Sequence, residues 1–157
     1  MKSSSIRNGS HFLHRRAVLA GLTAFLSTFP AMATQPAAVG PATSRFQAHL
    51  LTLINQYRAG QGLDPLVPSD RLTSLASEHS EFMLEQRRIS HERFRERFNR
   101  SHSLTCVENV GFGYRYPQAQ LDGWIRSPGH NRNLLDPKVR QVGIAVQDVY
   151  VTFFACS

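Results

Sequence analysis

Near residue 139 the chain changes its hydrophobic period, and that change limits the folds open to it. Val139 to Val146 and Val149 to Phe154 are rich in β-branched and aromatic residues, with Gln147-Asp148 between them. Two such runs around a short polar break predict an antiparallel hairpin. Upstream the spacing is helical. Phe46, Leu50, Leu53, Ile54 and Tyr57 form one apolar stripe, with Ser44 placed to cap it and Gly60 and Gly62 to end it. Leu72, Leu75, Ala76, His79 and Met83 form a second, capped by Ser69 or Asp70. Helices first and a β end predict an α+β or three-layer architecture.

The connecting segments are marked by turn residues. Asp64-Pro65 and Pro68 join the two helices. Phe94 and Phe98 suit a short amphipathic helix over 91–100, and 105–116, with Gly111 and Gly113 among aromatics, reads as an extended segment or loop. Pro117 suits the first turn of a helix holding Leu121, Trp124 and Ile125. Ser127-Pro128-Gly129 breaks that helix, and a further helical turn runs through Leu134 and Leu135. Gly143, inside the first strand of the hairpin, leaves room for another element to come close.

The N-terminus reads as an address. Residues 1–16 are polar and basic, 17–29 form the uncharged run AVLAGLTAFLSTF, and 31–33 read Ala-Met-Ala. That order is a secretory signal peptide over 1–33. The pair Arg15-Arg16 before the apolar run resembles a twin-arginine export signal, and an ordinary signal with two arginines is the alternative. The run is shorter than the roughly 20 residues that span a bilayer, so no retained membrane anchor is expected. Residues 34–44 read as a linker, leaving 45–157 as one domain with room for a real core. The expected location is periplasmic or extracellular.

Charge then loses most of its diagnostic weight. The formal net charge is +7, but Lys2, Arg7, Arg15 and Arg16 lie in the address, which leaves 14 basic against 11 acidic residues. Nucleic acid is therefore not an expected partner. The arginines between 87 and 100 are interleaved with Glu92 and Glu96 and read as a solvated helix face, with an anion-binding patch as the alternative. Two cysteines, Cys106 and Cys156, remain in the exported part. An even count in an oxidising compartment reads as one disulfide, worth about 4 kcal/mol in the loop-entropy description. Two buried thiols or a nucleophilic cysteine are the alternatives.

Several side chains could carry chemistry. His91 stands in Ser-His-Glu-Arg-Phe, but Arg95 occupies the position where a one-helix zinc protease needs its second histidine. His130 follows a Pro-Gly break and can face a cleft. Glu108 lies between apolar Val107 and Asn109-Val110 and needs a partner, for which an arginine is one option. His79 points inward by helical phase and reads as structural. Ser80, Ser90 and Ser127 lack the nucleophile-elbow setting. Two His and one Glu so far apart in sequence are by themselves a weak metal signal.

The strings NQYRAGQGLDPL (55–66), ASEHSEFM (76–83), SHERF (90–94), CVENVGFGY (106–114), WIRSPGHNRNLL (124–135) and VGIAV (142–146) resemble, in order and spacing, the CAP superfamily of cysteine-rich secretory, antigen 5 and pathogenesis-related proteins, in its compact bacterial branch. The resemblance implies a three-layer α-β-α sandwich, α+β in class, that is secreted and monomeric. It implies a cleft where His91, Glu108 and His130 converge, with Asn109 and Asn131 as supports or ligand contacts. In some members this set, with a second Glu, holds zinc or another divalent ion. Here Ser127 stands where that Glu is expected. The function it implies is an exported cleft that binds a ligand or divalent metal, the ligand being a small molecule, a lipid or a cell-surface component. The alternative is an extracellular hydrolase acting on peptide or cell-wall material, metal-dependent or His-based.

Overall fold

The computed structural model describes residues 41–157. The expected signal peptide and residues 34–40 of the expected linker lie outside them. Five helices and four strands follow in order: α1 (Pro41–Gly60), β1 (Val67–Pro68), α2 (Asp70–Gln86), α3 (Phe94–Ser101), β2 (Cys106–Phe112), α4 (Pro117–Arg126), α5 (Pro128–Leu134), β3 (Gln141–Gln147) and β4 (Tyr150–Cys156). The first helix begins at Pro41, so the last residues assigned to the linker are helical. Proline suits a helix start because its missing N–H would be unpaired there anyway.

The predicted hairpin forms the centre of one four-stranded sheet, ordered β1-β3-β4-β2. Its strands pair antiparallel in the register Val146 opposite Val151 and Val142 opposite Ala155. Every residue of β4 is buried, which is why that strand is apolar on both faces apart from the buried Thr152 rather than alternating. β1 was not foreseen. It is two exposed residues paired parallel to Gln141 and Val142, so it comes from tertiary placement and not from a local pattern.

Alternation along β3 and β4 feeds two cores. Val142, Ile144, Val151, Phe153 and Ala155 face α1 and α4, where Leu50, Ile54, Leu121 and Trp124 close the larger core. Ala145, Phe154 and Cys156 face Leu72, Leu75 and Ala76 of α2 on the other side. Helices therefore cover both faces of the sheet, giving the α-β-α sandwich. Gly143 makes this possible, because a Cβ there would overlap the Leu72 carbonyl and the Thr73 nitrogen. Ser69 caps α2 from the N-cap position, its hydroxyl accepting from the Leu72 amide.

Cys106 and Cys156 stand opposite each other on β2 and β4 and form the disulfide, leaving no free cysteine among the described residues. Arg58, fully buried at the end of α1, donates to the carbonyls of Asp64, Leu134 and Asp136. It ties α1 to the end of α5, and burial lowers its pKa.

Candidate functional site

The outer edge of β2 meets α5 on one side and the α2–α3 connection on the other. That edge is covered by side chains. Asn133 donates to the Glu108 carbonyl at 3.0 Å and the Trp124 indole donates to the Val110 carbonyl at 2.9 Å. Both interactions satisfy backbone acceptors that an edge strand would otherwise expose.

Glu108 is the centre of the arrangement and is only 4% exposed. Its partner is Arg97 of α3, itself 5% exposed. Arg97 Nε donates to Oε2 at 2.8 Å and Nη2 donates to Oε1 at 2.9 Å, a fork that matches the carboxylate plane. Nη1 donates to the Glu92 carbonyl at 2.8 Å, so every nitrogen of the guanidinium is engaged. Burial lowers the Arg97 pKa, and Glu108 acts against that shift. The cluster of arginines is therefore not wholly a solvated face. Arg97 turns inward because 94, 97, 98 and 101 form one stripe of α3, with Phe94 packed on the α2 core and Ser101 buried.

Two histidines lie against the same carboxylate. His91 places Nδ1 2.9 Å from Oε1, with its side chain 52% exposed. A carboxylate only accepts, so Nδ1 is assigned the proton of this contact. His79 is buried as expected, its Nε2 2.7 Å from the Ser90 carbonyl and 3.6 Å from Glu108 Oε1. Its Nδ1 has no partner among the described residues. Burial lowers the His79 pKa, with Arg97 adding to the effect and Glu108 opposing it. His79 is thus a buried wall of the site.

His130 projects from α5, its ring centroid 6.5 Å from that of His91. Burial and then His91 lower its pKa. Its backbone is held by Asn109, whose Nδ2 donates to the His130 carbonyl at 3.0 Å while its Oδ1 accepts from Asn133 at 2.9 Å. Asn109 is fully buried. It is a tether between β2 and α5. Asn131 Oδ1 accepts from the Tyr57 hydroxyl at 2.9 Å, joining α5 to α1. The cleft itself has a volume of 380 Å³, and its lining includes Ile89, Phe112, Tyr114, Ser127 and His130. Ile89 and Phe112 are among the exposed large apolar side chains. No motif marks these apolar residues as cleft walls, and the aromatics beside Gly111 and Gly113 are their one signal in the sequence.

A divalent ion does not fit this set of donors as it stands. Both oxygens of Glu108 are already taken by a guanidinium of fixed positive charge, and Ser127 supplies no second carboxylate. Among the described residues, no group of three His, Cys, Asp or Glu side chains is gathered so as to hold a metal.

The fold is an α-β-α sandwich with the imidazoles of His79 and His91 set against the buried Glu108 at the edge of the sheet. The chain belongs to the CAP, or cysteine-rich secretory protein, family, whose profile matches residues 51–156. It is 27% identical over 108 residues to the uncharacterized protein YkwD of Bacillus subtilis, covering 64% of this chain and 42% of that one. It is 28% identical over 113 residues to YlbC, an uncharacterized membrane protein of the same organism, covering 68% of this chain and 33% of that one. The chain thus spans less than half the length of either relative. The fold is also that of an extracellular SCP-domain protein of Bacillus anthracis, with TM-score 0.69, 23% identity, and 78% and 45% of the two chains covered. An outer surface protein of Borrelia burgdorferi gives TM-score 0.68 and 20% identity, with 73% and 94% covered.

Proposed function

We propose that this is an exported CAP-domain protein whose cleft binds an amphipathic small ligand. The observation that carries the reading is the continuity of the 380 Å³ cleft from Ile89, Phe112 and Tyr114 to the His130 ring, which stands beside His91. An apolar body would lie along the first three residues, and a polar end would meet the imidazoles. A lipid or a fragment of cell-surface material has this character. Export is supported by the Cys106–Cys156 bridge, which persists in oxidising compartments, and by the address-like residues 1–33. It is also in keeping with relatives of the same fold that are named extracellular or outer-surface proteins. No described helix is long and apolar enough to cross a membrane.

The test is calorimetric titration of the full chain with decanoate and with N-acetyl-phenylalaninamide, one aliphatic probe and one peptide-like. At least one should bind, and His130→Ala and Phe112→Ala should each weaken it by about tenfold, or roughly 1.4 kcal/mol. Equal affinity in all three proteins would place the ligand elsewhere.

A second reading, His-based hydrolysis, has one observation in its favour. Glu108 holds the Nδ1 face of His91, whose side chain is half exposed, and a general base acting on water would use the other ring nitrogen. Ser80 is buried and donates to Thr152, so it is no nucleophile. Cleavage of peptide or cell-wall fragments that is lost in His91→Ala but kept in His49→Ala would support this reading. Absence of turnover on all such substrates would remove it.

A further inference from the structure

His91, Glu108 and His130 are the positions that resemblance marks for a divalent ion, and one residue of this chain closes them to it. The Arg97 side chain is 6% exposed, with Nη2 2.7 Å from Glu108 Oε2 as well as 2.9 Å from Oε1. A dication coordinated by Glu108 would sit about 2 Å from the same oxygens. It would face a guanidinium that keeps its charge at any accessible pH, in a setting where water screens little. No second carboxylate offsets the repulsion, because Ser127 stands at that position.

We propose that Arg97 is the resident cation of the cleft. It neutralises Glu108 permanently and fixes the carboxylate plane. It also keeps Oε1 aimed at His91 Nδ1, so that ring is held in one orientation beside His130 without a metal. The role of the cleft is then independent of metal supply and indifferent to chelators. This holds whichever ligand the apolar walls accept.

The experiment is zinc titration by calorimetry of the chelator-treated full chain, alongside Glu108→Gln, Arg97→Met and the double variant. The parent and Glu108→Gln should give the same isotherm, any shared heat coming from histidines elsewhere. Arg97→Met, if folded by circular dichroism, should gain a zinc site about tenfold tighter than any in the parent, lost again in the double variant. If Arg97→Met does not fold, the comparison of parent with Glu108→Gln decides alone. Zinc binding by the parent that disappears in Glu108→Gln would overturn the proposal. So would a folded Arg97→Met that gains no site.

Discussion

Arg97 of α3 grips both carboxylate oxygens of Glu108 on β2, 11 residues away, through a two-pronged guanidinium contact at 2.8 and 2.9 Å. The pair is buried, so each partner's charge offsets part of the desolvation cost of the other. It also joins the α3 layer to the edge of the sheet and sets the direction of His91. One ion pair therefore serves packing and site geometry together.

Breaking it from one side leaves a buried charge. Arg97→Leu and Glu108→Leu should each lower the free energy of unfolding by about 3–5 kcal/mol. The double variant should be less destabilised than the sum of the two singles by about 2 kcal/mol or more. Urea denaturation of all four proteins measures this, and strict additivity would mean the contact carries no coupling.

The disulfide constrains the unfolded chain across 50 residues. Replacing Cys106 and Cys156 together by serine should cost about 2–5 kcal/mol. The denaturation midpoint of the parent should fall to that of the variant when a reductant is added. A parent unaffected by full reduction would speak against the bridge as a stabilising element.

Two glycines should differ in a way that the contacts dictate. A methyl at Gly143 meets backbone of α2, which cannot move without lifting the helix from the sheet, whereas a methyl at Gly111 meets the end of the Gln120 side chain. Gly143→Ala should therefore lose about 3 kcal/mol or more, and Gly111→Ala less, as Gln120 swings aside. Thermal unfolding ranks them, and the reverse order would contradict the close approach of α2.

Acid should weaken the fold through His79. Its folded pKa lies below the ordinary value of 6.5, chiefly because it is buried, so the unfolded chain binds the proton more readily. The stability it contributes is full above that ordinary value and is lost as pH falls toward the depressed one. The urea midpoint should drop between about pH 7.5 and 5.5, and His79→Gln should flatten that drop. An unchanged slope in the variant would assign the loss to other groups, such as His130, whose pKa is also lowered.

Much of the architecture could be read from local periodicity. The stripes of α1 and α2, Pro117 opening α4 and the β3–β4 hairpin each carry their own signal. β1 carries none, because two exposed residues become a strand only when β3 is alongside. The site was legible in part. Glu108 within an apolar strand demanded a partner, and Arg97 shares a helical stripe with Phe94, yet its charged neighbours made that segment look solvated. Asn109 reads from sequence as a support or a ligand contact, and its hold on the His130 carbonyl comes from the packing of α5 on β2, which sequence spacing alone does not reveal.

The central claim is that Glu108, fixed by Arg97, orients His91 beside the His130 ring that lines the proposed ligand cleft. Long-range proton–nitrogen spectra of the histidine rings in the full chain at about pH 8, where an ordinary imidazole is neutral, test it most directly. The account predicts His91 protonated at Nδ1, with its Nε2 and the His130 ring signals shifting as decanoate or N-acetyl-phenylalaninamide is added. A His91 protonated at Nε2, or ring signals that stay still while a probe binds, would contradict it.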